Sequence, residues 1–335
     1  MNVSNADLIS VIIPTYNRAN LLLEALASVR QQTWPHVQII VIDDGSTDNT
    51  SELMAQMPDV CYVRQNHGGQ GRARNRGLRC VEGAFVSTLD SDDLWEPDFL
   101  ESCVRAIRTL HADFVFSNWT VQAADGERYP SEFEAEYGWS DYRETELEDW
   151  RWLEPHQARS SYVNACISPS SSLVMPREFL SGGWSEEPII ADDWHLLLRL
   201  VLSRPCRVAV STQPRWLKRA VGDNVCEGRD LMEIKNDLCV HDYRIFLNDF
   251  ASLMEAHERA SFYTRLGGHQ AILAKWRLTR GQFAPSGRLL LGAAACLVRA
   301  FFISPRVVLW FVGKLVSRLQ RHHTISQRSY FNYAK

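Results

Sequence analysis

Three things are scarce in this chain: clustered cysteine, an apolar run long enough to cross a bilayer, and, toward its end, acid. The eight cysteines stand at 61, 80, 103, 166, 206, 226, 239 and 296. They form no CxxC pair and no Cys/His group at zinc spacing, which excludes a zinc-stapled fold and reads them as small, mostly buried side chains of a reducing compartment. No basic stretch followed by an apolar run and a small-residue cleavage site opens the sequence. A strand-like segment, Leu8 to Ile13, begins almost at once, and the expected location is the cytoplasm. Residues 259–335 hold 13 of the 36 Lys and Arg and none of the 40 Asp and Glu, so the preceding residues carry a net charge of −17 while the whole chain carries −4. An acidic body with a basic tail implies different partners for its two ends. No internal repeat or low-complexity segment is present, and 335 residues, 45% hydrophobic, suffice for one large domain with an appendage or for two domains.

Short β-branched runs alternate with helical stretches through the first half, the pattern of a parallel sheet flanked by helices. Leu8 to Pro14 and Val37 to Ile42 read as strands. Leu22, Leu26 and Val29 fall on one face of the helix between them, with Asn20 as its N-cap and Pro35 past its end. A helix from Ser46 to about Met57, a strand from Val60 to Arg64, a loop with Gly68, Gly69 and Gly71, and a helix carrying Arg72 to Cys80 follow. The apolar strand Ala84 to Leu89 runs into Asp90-Ser91-Asp92-Asp93, and a helix from Pro97 to about His111 precedes a strand at Phe114 to Phe116. In open sheets of this kind ligands bind beyond the carboxyl ends of strands, where Asp43-Asp44 and Asp90 to Asp93 both lie.

Carboxylates crowded at strand ends repel one another and raise each other's pKa, so such clusters call for a cation or for buried donors. Asp90 and Asp92, one residue apart, can offer hard oxygen ligands to Mg²⁺ or Mn²⁺, which complete their shells with substrate phosphates. The same pattern also serves as an Asp-rich turn capping the next helix. Farther on, Asp192 and Asp193 precede a helical run, His195 to Leu202, whose positive N-terminus favours acids whatever their task.

Several blocks stand in a fixed order: SVIIPTYNR (Ser10 to Arg18), SVRQQTWPHVQIIVIDDGSTDNT (Ser28 to Thr50), GRARNRGL (Gly71 to Leu78), STLDSDDLWEPDFL (Ser87 to Leu100) and SPSSSLVMPREFLSGGWSEEPIIADDWHLLLRL (Ser168 to Leu200). Together they resemble the family-2 glycosyltransferases, over roughly the first 200 residues. The resemblance implies an α/β GT-A fold, a Rossmann-like, mostly parallel sheet flanked by helices, with a C-terminal helical extension. Residues 1–215 would form the catalytic domain, about 1–120 for the donor and about 121–215 for the acceptor, and residues 216–335 a mainly helical region with basic, apolar segments from about 284. It also implies an inverting transfer from a nucleotide-sugar, a UDP-sugar by default, to a glycan or lipid-linked acceptor in cell-surface polysaccharide synthesis, with Mn²⁺ or Mg²⁺ as cofactor.

By the same resemblance Pro14, Thr15, Tyr16 and Asn17 enclose base and ribose, Asp44 accepts a hydrogen bond from the base, and Gly45 lets the chain turn. Arg74 contacts the diphosphate, a geometry that a guanidinium matches in two-pronged fashion, or makes a structural salt bridge. Asp90 and Ser91 lie on the ribose and metal side, Asp92 is the direct metal ligand, and Asp93 assists either. Asp193 matches the catalytic base, with Asp192 and Trp194 as support or acceptor contacts and Arg199 following on the helix. Where the family often carries a metal-reaching His, this chain reads WLKRAVGDNV (Trp216 to Val225), so water and donor oxygens, or Asp223 or Asn224, complete the metal. The acidic, aromatic stretch 130–155 is either a solvated loop or an acceptor loop whose Trp139, Tyr142, Trp150 and Trp152 stack on sugar faces.

The apolar runs Leu289 to Ile303 and Val307 to Val316 each fall short of the roughly 20 residues of a spanning helix. Two readings stand for residues 284–321: helices lying peripherally on the anionic inner face of the cell membrane, or a subdomain packed on protein. Nucleic acid fits such apolar runs poorly. A sugar nucleotidyltransferase would need a Gly-rich, basic phosphate loop after the first strand, where Pro14 to Arg18 stands instead. A noncatalytic nucleotide-sugar-binding scaffold would not need Asp90, Asp92 and Asp193.

Overall fold

The computed structural model describes residues 6–131, 133, 142–220 and 229–311. Trp139, Asp223, Asn224, Cys226 and the tail beyond 311 lie outside the described residues. Two compact units divide the chain, the first comprising 1–186 and 192–222 and the second 187–191 and 223–335.

In the first unit the β-branched run of β1 (Ile9–Thr15) is buried along its whole length. It pairs in parallel with β2 (Val37–Asp43) on one side and β4 (Phe85–Thr88) on the other, and β2 pairs in parallel with β3 (Val60–Arg64). Helices α1 (Ala19–Arg30), α2 (Thr50–Met54) and α3 (Gln70–Leu78) make the crossovers. Beyond β4 come β5 (Leu94–Trp95), α4 (Phe99–Leu110), β6 (Phe114–Gln122), β7 (Arg128–Pro130), β8 (Arg143–Glu144), β9 (Trp150–Leu153), α5 (Pro155–Asn164), β10 (Leu173–Pro176), α6 (Asp192–Ser203) and β11 (Val208–Arg219). The sheet runs β3-β2-β1-β4-β10-β6-β11-β9-β8. The mostly parallel α/β sheet is as expected, and β10 enters it antiparallel to both β4 and β6.

Local departures from expectation have long-range causes. Helix α1 begins at Ala19, one residue before the expected cap Asn20, because Asp48 accepts the Ala19 N–H at 3.1 Å from 29 residues away. Helix α2 begins at Thr50 rather than Ser46. The Ser46 and Thr47 N–H groups are drawn instead to Asp43 (2.7 Å) and Asn17 (2.6 Å), which fold that stretch as a turn. The first unit also passes the expected boundary at 215, since β11 keeps pairing with β6 as far as Arg219↔Gln122.

The second unit is helical among its described residues: α7 (Leu231–Asn236), a π-helical stretch Asp237–Asp242, α8 (Tyr243–Phe250), α9 (Ala256–Leu278) and α10 (Phe283–Ile303). Asp230 caps α7 by accepting the Met232 N–H at 2.7 Å. The wholly buried Asp242 accepts the backbone N–H groups of Ile189, Ile190 and Ala191, each at 3.0 Å, which folds that short segment with this unit. Helices α9 and α10 form a close hairpin, in which a Cβ at Gly267 would stand 3.1 Å from the Ala293 carbonyl oxygen.

Helix α3 lies so near the sheet that a Cβ at Gly77 would stand 2.5 Å from Ile12 Cγ2 and 3.3 Å from Ile42 Cγ1. Ile12 and Ile42 are fully buried, so neither can yield into solvent. Overpacking of this kind costs about 1–3 kcal/mol. Gly77→Val is therefore expected to lower the unfolding free energy by that amount, read as a lower urea midpoint at unchanged slope, and an unaltered midpoint would show that α3 is free to lift.

Candidate active site

The carboxyl ends of β1 and β2 form one wall of the site. Asn17 sits at φ +53°, in the left-handed region that Asn tolerates better than most side chains. Its Oδ1 accepts the Thr47 N–H, and its own N–H donates to Ser46 Oγ at 2.9 Å, so the first and second strand-end loops are tied together. Gly45 has φ +89°, and a Cβ there would meet the His67 nitrogen at 3.0 Å. Pro14 and Thr15 are buried within β1, and the Thr15 carbonyl accepts the Asp44 N–H at 2.9 Å. Tyr16 is 43% exposed and its ring lies 4.4 Å from that of His67. This is an aromatic surface at a strand-end crevice, suited to a planar base.

Asp44 has a task that its sequence context does not reveal. Its buried carboxylate accepts from Gln65 Nε2 at 2.7 Å, from the Gly68 N–H at 2.9 Å and from the Gly69 N–H at 2.8 Å, with His67 Nδ1 at 3.0 Å. A carboxylate has about four lone-pair sites. In this conformation Asp44 therefore organises the glycine loop that leads into α3, rather than standing open to a base.

The opposite wall holds the acids, and Arg74 joins them. The guanidinium, 1% exposed, reaches Asp90 at 2.8 Å with one terminal nitrogen and Asp192 with the other. It thereby brings together the end of β4 and the start of α6, taking the structural role that sequence left as an alternative to diphosphate contact. The 3₁₀ turn Ser170–Ser172 makes a second tie. Ser171 Oγ donates to Asp93 at 2.7 Å and accepts the Asp90 N–H at 3.1 Å, while its neighbour Ser170 donates to Asp193 Oδ2 at 3.2 Å. Asp193 Oδ1 accepts the Trp194 N–H at 2.6 Å. Arg18 pairs with Asp92 at 2.9 Å, and Arg219 donates to the Asp92 carbonyl and, through its backbone N–H at 3.2 Å, to Asp93.

Burial raises the pKa of three of these acids. Asp193 is pushed up to about 6 by desolvation and by Asp192, against the pull of Arg74. Asp92 also reaches about 6 through burial, with Arg18 opposing and Asp90 reinforcing. Asp93 rises well above its ordinary value through burial and its neighbours Asp92 and Asp90. Burial alone would depress the Arg74 guanidinium, but Asp192, Asp90 and Asp193 outweigh it and the net shift is upward.

Other expected residues fall elsewhere. Trp194 is buried with its indole N–H donating to the Tyr162 carbonyl at 2.6 Å, so it supports α6 and offers no acceptor platform. Asp192 is buried on Arg74, also a support. Ser91 is 2% exposed. Arg199 turns to the Gly182 and Gly183 carbonyls. Trp150, 1% exposed, belongs to the core rather than to a sugar-stacking loop, because β9 pairs with β11. Tyr142 and Trp152 are half-buried, the latter with Arg207 5.1 Å over its ring. Sequence reading passed over Ser170, Ser171, His67, Arg219 and Lys218, whose positive charge opposes the upward shifts of Asp92 and Asp93. The serines lay in a quoted block, but Ser is so common in turns that nothing marked them.

A divalent cation suits the donor set at the end of β4. The Asp90 side chain is 32% exposed, and its Oδ2 has no hydrogen-bond partner among the described residues. Asp92 is nearly closed off and held by Arg18, so Asp90 is the more open oxygen ligand. No group of three or more His, Cys, Asp or Glu poised for a metal occurs among the described residues, and the remaining shell falls to substrate oxygens and water.

The sequence model of the family described as Glycosyl transferase family 2 matches residues 10–170. Among curated proteins, glycosyltransferase GlyG of Streptococcus pneumoniae is 34% identical over 130 residues, 37% of this chain and 43% of GlyG. TuaG of Bacillus subtilis, a glycosyltransferase assigned to teichuronic acid biosynthesis, is 35% identical over 125 residues, 36% of this chain and 49% of TuaG. The matched chain thus spans less than half the length of these relatives. Among solved structures, S. aureus TarS 1-349 in complex with UDP-GlcNAc has a TM-score of 0.62 at 22% identity, covering 90% of this chain and 82% of that one. The mannosyltransferase PcManGT of Pyrobaculum calidifontis, in complex with GDP-Man and Mn²⁺, has a TM-score of 0.53 at 20% identity over 95% and 90%. These likenesses show the GT-A-like fold.

Removing one partner of a buried ion pair strands the other charge, at a cost of about 3–5 kcal/mol. Arg74→Met is expected to fall at the low end of that range in chemical denaturation, because Asp90 is partly solvated. Arg74→Met with Asp192→Leu should recover part of the loss. A double variant no more stable than Arg74→Met would show that stranded charge is not the cause.

Proposed function

The chain belongs to glycosyl transferase family 2, and from that membership we propose that it is an inverting glycosyltransferase. It moves a sugar from a nucleotide-sugar, by default a UDP-sugar, to a hydroxyl of a glycan or lipid-linked acceptor, in the synthesis of a cell-surface polysaccharide. The observation that carries this reading is the Arg74 bridge, which holds Asp90 of the donor-side cluster and Asp192, the neighbour of the candidate base, on one guanidinium. The donor reading is supported by the UDP-GlcNAc and GDP-Man of the two structural neighbours.

Chemically the chain has one displacement to perform. Asp193 accepts the proton of the acceptor hydroxyl as its oxygen attacks the anomeric carbon, and the bond to the diphosphate breaks on the opposite face with its electron pair leaving on the diphosphate. Attack from the face opposite the leaving diphosphate inverts the centre. Ser170 and the Trp194 N–H each hold one Asp193 oxygen, which fixes the base without neutralising it. A pKa near 6 leaves Asp193 ionised at neutral pH yet a stronger base than a solvated carboxylate. Tyr16 and His67 offer the base its stacking surface. Mn²⁺ or Mg²⁺ held by Asp90 with Asp92, when bound, supplies charge neutralisation for the departing diphosphate.

Hydrolysis screened across a nucleotide-sugar panel should pick out one donor, with activity lost in EDTA and restored by Mn²⁺ or Mg²⁺; no turnover with any donor would leave a binding protein. Asp193→Asn should cut kcat by about 10²–10⁴-fold with donor affinity by calorimetry unchanged, and a matching loss of affinity would move Asp193 to the donor site. Because its proton must be off, log kcat/KM should climb with pH up to about 6 and then level. A profile flat from pH 5 to 7 would remove Asp193 as the base.

A further inference from the structure

The α9–α10 hairpin carries an apolar surface on the side where a water-soluble helix pair is polar. Helix α10 buries Ser286, Leu289, Ala293, Cys296 and Ala300, a spacing of three and four residues that forms a single seam. That seam accounts for one side only. On the other, Leu290, Leu291, Leu297, Val298, Phe301 and Phe302 are all exposed, Leu291 by 75% and Phe302 by 82%. A second helical stretch, residues 305–311, adds Leu309 and Trp310, exposed by 64% and 54%. Helix α10 is also longer than the apolar run that marked it in sequence: 21 residues, with a mean hydropathy of 1.6 over its most apolar 18, about 31 Å at 1.5 Å per residue. Contiguous exposed apolar patches above a few hundred Å² mark contact surfaces.

Charge selects the partner. Exposed Arg288, Arg299 and Arg306 punctuate this surface, and residues 259–335 contain no Asp or Glu. Two copies meeting through this face would bring arginines together with no carboxylate of the segment to neutralise them. A bilayer offers hydrocarbon to the leucines and phenylalanines and phosphate to the arginines, and Trp310 suits the boundary between them. By length and composition α10 could span, but its seam is packed on α9, which carries Arg265, Gln270 and Lys275. Spanning would draw those polar groups into hydrocarbon. We propose that α10 and residues 305–311 lie in the plane of an anionic lipid surface, apolar side down, and bind the protein peripherally to it.

Flotation of the full chain tests this with vesicles of phosphatidylglycerol and phosphatidylcholine in equal amounts, and with phosphatidylcholine alone. The chain should float with the mixed vesicles, and at least about tenfold less with phosphatidylcholine or in high salt. Leu291→Asp with Phe302→Asp should weaken partition at least about tenfold. Both side chains face solvent, so circular dichroism and the thermal midpoint should be retained. Sedimentation velocity without lipid completes the test. Failure to bind the mixed vesicles, flotation of the double variant equal to the parent, or a lipid-free dimer that the variant splits while leaving flotation unchanged would each overturn the proposal.

Discussion

The first unit depends on one buried cation. Asp90 follows β4, Asp192 opens α6, and Arg74 stands on α3, so a single guanidinium ties two consecutive elements to a third that begins 118 residues after it. Bringing carboxylates together at a strand end and a helix start is unfavourable without such a charge, because desolvation and mutual repulsion both oppose ionisation. The close approach of α3 to the sheet at Gly77 is what puts Arg74 within reach of both acids. Core packing and site electrostatics are therefore one constraint: lifting the helix would strand two carboxylates, and losing the guanidinium would leave acids where the helix meets the sheet end.

The insertion of β10 supplies a second, independent tie. Because β10 runs antiparallel between β4 and β6, the 3₁₀ turn before it arrives beside the carboxyl end of β4. Thr88 Oγ1 donates to the Ser170 carbonyl at 2.9 Å and the Trp95 indole N–H donates to the Ser171 carbonyl at 2.7 Å, so the turn is fixed from two sides. Two adjacent serines can then face different acids, Ser171 toward Asp93 and Ser170 toward Asp193. The antiparallel strand is thus the means by which the donor-side cluster and the candidate base acquire a common reference.

What sequence disclosed and what it hid divide along the range of the interactions. The strand cores and their acidic ends were legible because β-branched runs ending in Asp are local patterns, and the ordered blocks gave the fold class. The start of α1 was misplaced by two residues, the cap being Arg18 rather than Asn20, because its N–H partner, Asp48, comes from a distant loop. Trp150 looked like part of a solvated or sugar-binding loop because its neighbours are acidic, whereas pairing with β11 buries it. The role of Asp44 as organiser of the glycine loop was hidden for the same reason: its donors Gln65, Gly68 and Gly69 are 21 to 25 residues away. Arg74 was visible as a candidate, but whether it met phosphate or carboxylate depended on where α6 began.

Under the proposed function, the charge balance of the site would favour donor and cation together. Apart from Asp93, in which burial disfavours the charged form, Asp90, Asp92, Asp192 and Asp193 face Arg18, Arg74 and Lys218, while Arg219 pairs with Glu24 at 2.6 Å. The surplus is a single negative charge. A dication alone would reverse its sign in a partly buried space, and a dianionic diphosphate alone would add to it. The pair together leaves the balance unchanged. In such a site each ligand relieves the electrostatic penalty of the other, which by linkage makes their binding cooperative. The half-open Asp90 Oδ2 is the place where that exchange can begin, since its side chain is 32% exposed and no protein donor occupies it among the described residues.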